Sequence, residues 1–126
     1  MSNLANLNVP KLETVTVTVE APGTIRWRGT ITSKDPGKDL AEFTRAAHCA
    51  AIDDGLSELR VDVSELTFVN SSAIRLFIDW ATWVRDTKGH AYKLRFATSR
   101  RVTWQRTSFT ALRSLAGQVL SVEHVD

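Results

Sequence analysis

Three small polar residues separate two apolar stretches in TFVNSSAIRLFI, residues 67–78. An apolar run ends before Asn70, and an apolar pattern with helical spacing begins directly after Ser72. Asn70 is a good helix cap because its side-chain oxygen can accept a hydrogen bond from a backbone N–H of the first turn. One cap is sufficient, so Ser71 and Ser72 add two hydroxyls at the positive end of the helix dipole, which favours a phosphate. The alternative is that both serines simply suit a helix start.

A second candidate group is a basic cluster before the last predicted helix, made of Arg100, Arg101 and Arg106. Residues 71–126 contain nine Lys and Arg against four Asp and Glu, whereas residues 1–70 contain seven against ten. The cluster could bind an anion. The alternative is a solvated basic face, and no aromatic and basic interleaving typical of a nucleic-acid module accompanies it. We therefore predict no direct nucleic-acid binding.

Motifs that support catalysis are missing from the sequence. It contains no glycine-rich phosphate loop, no Cys-x-x-Cys, no His-Glu-x-x-His and no Gly-x-Ser-x-Gly. His48 and Cys49 point about 100° apart on a helix, so we predict a surface histidine and a buried or half-buried cysteine rather than one site. Asp53, Asp54 and Glu58 surround a turn and could bind a cation, but such carboxylates are usually only solvated. We predict no enzyme, no cofactor and no metal site.

The composition is typical of one globular domain. The chain has 126 residues, of which 43% are hydrophobic and 24% charged. Its single cysteine cannot form an internal disulfide, which fits a reducing compartment. No secretory signal is visible, and no apolar stretch approaches the roughly 20 residues of a membrane span. These features predict a cytoplasmic protein without a membrane partner.

The periodicity of apolar residues predicts an α/β fold. Residues 1–12 are predicted to form a flexible N-terminal arm, and residues 13–126 a single domain. Asp35 is the predicted cap of the first helix, Gly55 and Gly89 end the first and second helices, and RRVTWQ is predicted as a loop. The predicted strands are 14–20, 24–31, 58–66, 92–98 and 119–125, and the predicted second and third helices begin near residues 71 and 106. The order ββαβαβαβ predicts a mixed, mainly parallel sheet with an N-terminal hairpin and about three helices.

The second predicted helix carries more apolar surface than one core stripe needs. The stripe contains Ile74, Phe77, Ile78 and Ala81, and a separate set lies well outside it. We interpret that set as a partner-binding surface that could also pair two copies into a homodimer, with Arg75 and Trp104 extending it. The alternative is that it packs against flanking helices or the arm. The set consists of Leu76, Trp80 and Trp83.

Residues 59–84, LRVDVSELTFVNSSAIRLFIDWATWV, resemble the core motif of STAS domains, the family of bacterial anti-sigma factor antagonists. That motif has a strand with a leading Asp, an apolar pair, and Asp-Ser-Ser/Thr-Gly at the start of an amphipathic helix. The predicted element order also matches the family fold, so the resemblance covers about residues 13–125. The positions that match are Asp62, Phe68, Val69, Ser71 and Ser72.

The sequence departs from this motif at two positions. Asn70 stands where the family usually has Asp, and Ala73 where it usually has Gly. Asn caps a helix as well as Asp does, but it removes a negative charge that a kinase could recognise. The chain therefore looks like a divergent, STAS-like subgroup.

The resemblance implies a non-catalytic regulator that binds a protein partner, a serine kinase or related anti-sigma-like regulator. Ser71 would be the phosphorylated residue, Ser72 the alternative acceptor, and a PP2C-type phosphatase would reverse the modification. Phosphorylation would switch off partner binding. The alternative is a STAS module for a small ligand, a nucleotide or another anion, bound by Arg100, Arg101 and Arg106.

Overall fold

A computed structural model describes residues 4–7, 9, 14–20, 23–31, 37–87 and 92–125, without the side chains of residues 5, 37–39 and 106. A short 3-10 turn at Leu4–Asn6 precedes the domain. The strands are β1 (Val15–Glu20), β2 (Thr24–Ile31), β3 (Glu58–Val69), β4 (Lys93–Thr98) and β5 (Leu120–His124). The helices are α1 (Gly37–Asp53), α2 (Ser71–Asp86) and α3 (Thr103–Ala116).

The five strands form one mixed sheet in the order β1-β2-β3-β4-β5. β1 and β2 are an antiparallel hairpin, and β2, β3, β4 and β5 run parallel to their neighbours. Parallel strands in sequential order need crossover helices, and right-handed crossovers place all three on the same face. This arrangement confirms the predicted α/β fold with its N-terminal hairpin and mainly parallel sheet.

The two faces of the sheet differ as the alternation of the strands predicts. Side chains that face the helices are buried, including Ile25, Trp27 and Ile31 of β2. The opposite face carries charged residues that pair across strands, such as Arg60 of β3 with Glu123 of β5 at 2.7 Å. This difference between the two faces fixes the register of each strand, because a shift of the pairing by one residue would move the apolar side chains to the polar face.

The outgoing half of β3 brings the chain to the start of α2. β3 extends three residues beyond its predicted end, and β4 pairs only with its first half, up to Asp62. Two register shifts against β2 bend this half. At the first, Asp62 Oδ1 accepts hydrogen bonds from the N–H and hydroxyl of Ser64, at 3.0 and 2.6 Å. At the second, the Thr67 hydroxyl donates to the Gly29 carbonyl at 3.2 Å.

Gly29 is required where β2 faces this bend. Its φ is +106°, a conformation that side chains disfavour, and a Cβ atom there would lie 2.2 Å from the Thr14 carbonyl oxygen. The same carbonyl accepts a hydrogen bond from the Thr30 N–H at 2.9 Å. The close approach of β1 to β2 therefore depends on this glycine.

The buried face of α2 differs from the predicted stripe. Ile74 and Ile78 are only half-buried, whereas Leu76 and Trp80 are buried, with Trp80 fully inaccessible to solvent. The reason is that α2 packs against α1 and α3 as well as the sheet, so its apolar arc is wider than one stripe. The prediction that Leu76 and Trp80 are exposed in the free monomer is wrong.

A buried chain of hydrogen bonds joins α1, α2 and the residue before β4. Trp80 Nε1–H donates to the Tyr92 hydroxyl at 3.0 Å, and that hydroxyl lies 2.6 Å from His48 Nδ1. An indole nitrogen can only donate, so the Tyr92 proton is free to point to His48. His48 Nδ1 can accept this proton in the tautomer whose ring proton lies on Nε2. The chain fixes α2 against α1.

His48 and Cys49 lie in environments opposite to those that the sequence predicts, so both predictions are wrong. His48 is buried, and Cys49 is exposed. The physical reason is the rotation of α1, which directs His48 to Tyr92 and the ring of Trp83. The residue types in TRAAHCAA, residues 44–51, cannot specify that rotation, because histidine and cysteine are both compatible with either side of the helix.

We expect His48 to make the fold less stable in acid. Burial lowers the pKa of His48, and the nearby positive charge of Arg45 lowers it further. The unfolded chain then binds more protons than the folded chain below the usual histidine pKa of about 6.5. The stability that depends on neutral His48 is thus fully present above about pH 6.5. It is lost as the pH falls towards the pKa of His48 in the folded chain. Urea denaturation at pH 7.5 and 5.5 checks this result.

The matched variants are His48→Gln and His124→Gln. Gln keeps an acceptor for the Tyr92 hydroxyl but does not titrate, so His48→Gln should flatten the loss between the two pH values. His124 is exposed, and its replacement should leave the loss unchanged. An equal loss in wild type and His48→Gln would contradict the assignment.

The N-terminal segment is packed where the structure describes it. Leu4 is buried, and its backbone N–H donates to Asp54 Oδ2 at 2.9 Å. The predicted arm, residues 1–12, therefore contacts the domain at this turn, and its flexibility stays a prediction. Gly55 has a φ of +66°, as its predicted role after the first helix requires. Asp35 and Gly89 lie outside the described residues.

Candidate functional site

The junction between β3 and α2 is held by Asn70. Its Oδ1 accepts a hydrogen bond from the Ala73 N–H at 3.0 Å, and its backbone is extended, with φ −84° and ψ 174°. Its N–H donates to the Ile31 carbonyl at 2.9 Å, at the end of β2. Asn70 thus joins the helix start to the sheet, and the sequence places the cap correctly.

The two serines after the cap are exposed at the first and second positions of α2. Neither hydroxyl bonds a residue within the described part of the chain. Backbone N–H groups in a first helical turn have no partner within the helix and point outward. Ser71 therefore presents a free hydroxyl beside a partial positive charge, a site that accommodates a phosphate. Ala73 stands where the family motif usually has glycine. It is fully buried, and the helical turn is kept.

Two further side chains close to the serines in sequence are also exposed. The Arg75 side chain is 78% exposed and makes a long contact of 3.9 Å with Asp79, which contributes little at a surface. Phe68 is 50% exposed and lies opposite Thr30 on the uncovered face of the sheet. We call Phe68, Ser71, Ser72 and Arg75 the junction surface. The sequence motif identifies Phe68 only as part of an apolar pair, and the break in the alternation of β3 after Ser64 is the signal of its exposure.

The predicted partner-binding residues do not form one surface. Of the predicted partner-binding residues on α2, Arg75 alone is exposed, because Leu76 and Trp80 belong to the core and Trp83 is half-buried. The guanidinium of Arg45 lies 4.8 Å from the Trp83 ring centroid, a cation–π arrangement that partly covers the indole. The apolar set on α2 therefore packs internally, which is the alternative considered for it.

Trp104 lies in the first turn of α3, not in a loop as predicted, because α3 begins at Thr103. Its Nε1–H donates to the Leu66 carbonyl at 3.0 Å. The next residue, Gln105, is buried and donates through Nε2 to the Val63 and Leu66 carbonyls at 2.6 and 3.1 Å. Side chains of α3 thus replace β4 as partners of the outgoing half of β3, which leads to the junction surface.

Gln105 is a positioning residue that sequence reasoning missed. Its Oε1 also accepts a hydrogen bond from the Ser99 N–H at 2.8 Å. One buried amide thereby ties the β4–α3 turn to β3, and all of its bonds are to backbone groups. A polar residue beside a tryptophan at a helix start gives no sequence signal for such a role.

The predicted anion cluster is only partly described. Arg100 and Arg101 are exposed in the turn between β4 and α3, where the Arg101 N–H donates to Ser99 Oγ at 3.2 Å. The side chain of Arg106 lies outside the described part. Among the described residues, no group of three or more His, Cys, Asp or Glu could hold a metal ion. The helices that the structure describes include none long and apolar enough to cross a membrane.

Loss of the cap should cost measurable stability without loss of the fold. Asn70→Ala removes the bond to the Ala73 N–H, and we expect a cost of about 1 kcal/mol in the free energy of unfolding. Asn70→Asp keeps the acceptor and should remain within about 0.5 kcal/mol of wild type. Chemical denaturation measures both. Equal stability of Asn70→Ala and wild type would show that the cap is not formed.

Comparisons with known proteins agree with this geometry. The chain matches no protein-family model and no curated protein. Among solved structures it is similar to an anti-sigma factor antagonist from Mycobacterium paratuberculosis, at 17% sequence identity and a TM-score of 0.58. The match covers 86% of this chain and 86% of that structure. The chain therefore has the STAS-like α/β fold of an anti-sigma factor antagonist.

Proposed function

We propose that this protein is a non-catalytic regulator of the anti-sigma factor antagonist type, switched by phosphorylation of Ser71. In its unmodified form it binds a protein partner, a serine kinase or related anti-sigma-like regulator, through the junction surface. A PP2C-type phosphatase restores that form, and Ser72 is the alternative acceptor. The exposed Ser71 hydroxyl next to a separate capping residue is the observation that carries the proposal.

The division of labour at the helix start supports the switch. Because Asn70 makes the capping bond, Ser71 is not needed for the fold and can be modified without loss of the cap. A phosphate adds about −1.5 to −2 charges and three acceptor oxygens. The helix dipole favours that charge by roughly 0.3–1 kcal/mol at an exposed end. The folded domain should therefore tolerate the modification.

Arg75 supports a direct effect of the phosphate on the junction surface. It lies four residues after Ser71, a spacing that places two side chains on the same helix face. Its contact with Asp79 is long, at 3.9 Å, so the guanidinium can move to a stronger anion. Phosphorylated Ser71 would hold Arg75 and add bulk at the start of α2. Both changes remove groups that a partner would otherwise contact.

The uncharged cap at the start of α2 also affects how a kinase would recognise this site. Asn70 supplies the cap without the negative charge that the family motif places before the serine. Repulsion between the phosphate and its neighbour is therefore smaller, and a kinase that reads the Asp would bind less well. We infer a kinase that recognises the junction through other groups, of which Arg75 and Phe68 are the most exposed.

Affinity capture tests the proposal. Immobilised wild type and Ser71→Ala should retain one protein from a lysate of the native cells, and Ser71→Asp should lose it. Phosphatase treatment of the protein purified from those cells should increase capture. Retention of the same partners by all three forms would contradict the proposal. A thermal shift with nucleotides that disappears in Arg100→Ala/Arg101→Ala would instead favour the small-ligand module.

A further inference from the structure

Among the described residues, the backbone groups on the outer edge of β5 have no hydrogen-bond partner. β5 is the last strand of the sheet. The Leu94 N–H donates to the Val119 carbonyl, and the Val125 N–H donates to the Thr98 carbonyl. In a parallel ladder alternate residues bond to the same neighbour, so the odd-numbered residues of this segment face β4. The backbone groups of Leu120, Val122 and His124 therefore point away from the sheet.

A groove runs beside this edge, between β5 and α3. Its main part has a volume of about 540 Å³ and is lined by Thr110, Arg113 and Ser114 of α3 and by Leu120 and Val122 of β5. Smaller grooves continue from it at both ends, towards His124 and towards Gln118. The floor is thus part apolar and part polar, and β5 lines the main part and the extension towards His124.

Arg113 lines all three grooves. It is exposed and makes no ion pair or hydrogen bond through its side chain with any residue that the structure describes. Other arginines of the described residues form ion pairs, among them Arg26, Arg28, Arg60, Arg75, Arg85 and Arg95. An unpaired guanidinium in a groove is complementary to a carboxylate, which it can bind through two parallel hydrogen bonds.

The other edge of the sheet differs from this one. β1 is contacted by the Leu4–Asn6 turn. Natural proteins usually cover or charge an edge strand to prevent unwanted pairing. Within the described residues β5 has no such cover, and a groove with a cation lies next to it.

We propose that the groove between β5 and α3 binds an extended acidic segment of a partner protein by strand addition to β5. The backbone of the segment would pair with Leu120, Val122 and His124, and an Asp, Glu or terminal carboxylate would pair with Arg113. Main-chain bonds give such complexes affinity, and side-chain pockets give them specificity. The site is separate from the junction surface and does not depend on the Ser71 switch.

A phage-displayed library of random decapeptides, selected on the full-length protein, tests this site. Selected peptides should be enriched in β-branched residues and contain an acidic residue. A synthetic copy of the strongest should shift the amide NMR signals of Leu120, Val122 and His124. A copy with Lys in place of the acidic residue should bind at least tenfold more weakly.

Matched variants test the Arg113 contact and the backbone pairing of β5 separately. Arg113→Glu should weaken the peptide at least tenfold, whereas Lys93→Glu, an equal charge reversal at an exposed position of β4, should not. Val122→Pro removes an outward N–H and should also weaken binding at least tenfold, whereas Val122→Ala keeps that N–H and should bind within threefold of wild type.

Three results would overturn the proposal. They are selection of no peptide above background, NMR shifts confined to another surface, and unchanged affinity in Arg113→Glu. The last result, together with reduced stability, would mean that Arg113 serves only the helix dipole, since it lies in the last turn of α3.

Discussion

A phosphoserine installed at Ser71 should weaken partner binding at least a hundredfold and leave the fold intact. The phosphate adds charge and bulk at the exposed start of α2 and competes for Arg75, which the partner would otherwise contact. A loss of about 3 kcal/mol corresponds to more than a hundredfold in the dissociation constant. The free energy of unfolding should stay within about 1 kcal/mol of wild type, because the helix dipole favours the added charge. Titration calorimetry with the captured partner and urea denaturation provide the two measurements.

The matched control is phosphoserine at Ser57. This residue is exposed and directly precedes β3, at the opposite end of the strand from Ser71. It adds the same charge to the protein without touching the junction surface, so partner affinity should be unchanged. Equal weakening by both modifications would show that net charge, not the site, controls binding. An unchanged affinity with phosphorylated Ser71 would remove the switch.

Trp80→Ala should destabilise the domain by about 3–5 kcal/mol, as expected for truncation of a buried tryptophan. The side chain is fully buried, and its indole N–H bonds to the Tyr92 hydroxyl. Trp83→Ala is the control on the same helix, because Trp83 is only half-buried, and it should cost less than half as much. Urea denaturation measures both variants.

Analytical ultracentrifugation on the same samples separates core from contact surface. Self-association should be equally weak or absent in wild type and Trp80→Ala. If Trp80→Ala instead changed stability by less than about 1 kcal/mol and weakened association, the tryptophan would belong to a contact surface, and its placement in the core would be wrong.

The strands and the helix start could be predicted because each depends on local signals. Strict alternation in TVTVTVE and TIRWRGTI specifies the hairpin, and residue type alone identifies Asn70 as a cap. The order of elements then determines a mainly parallel sheet, since parallel neighbours need crossovers. The exposure of Ser71 follows from its place after the cap.

The side of α2 that faces the core could not be predicted from the periodicity of its apolar residues. A helix that contacts a sheet and two other helices is apolar over a wide arc, and one sequence does not show which part of the arc is central. The tryptophans therefore seemed to form a second surface, although Trp80 lies in the core. Contacts with other parts of the chain decide this point, above all the hydrogen bond between His48 of α1 and Tyr92.

The supports of the junction were also hidden, because they join distant parts of the chain. Gln105 bonds to Val63 and Leu66, about 40 residues away in sequence. The bends of β3 depend on side-chain bonds of Asp62 and Thr67. Each of these residue types is common on a surface, so only the folded arrangement distinguishes them.

Phosphopeptide mapping of the protein purified from its native cells tests the central claim most directly. Mass spectrometry of the peptide that spans the β3–α2 junction should show a fraction with one phosphate, located at Ser71 by fragmentation, and phosphatase treatment should remove it. A phosphate at Ser72 would keep the switch and change its acceptor. Absence of any phosphate on this peptide, across growth conditions in which the partner is captured, would contradict the proposed serine switch.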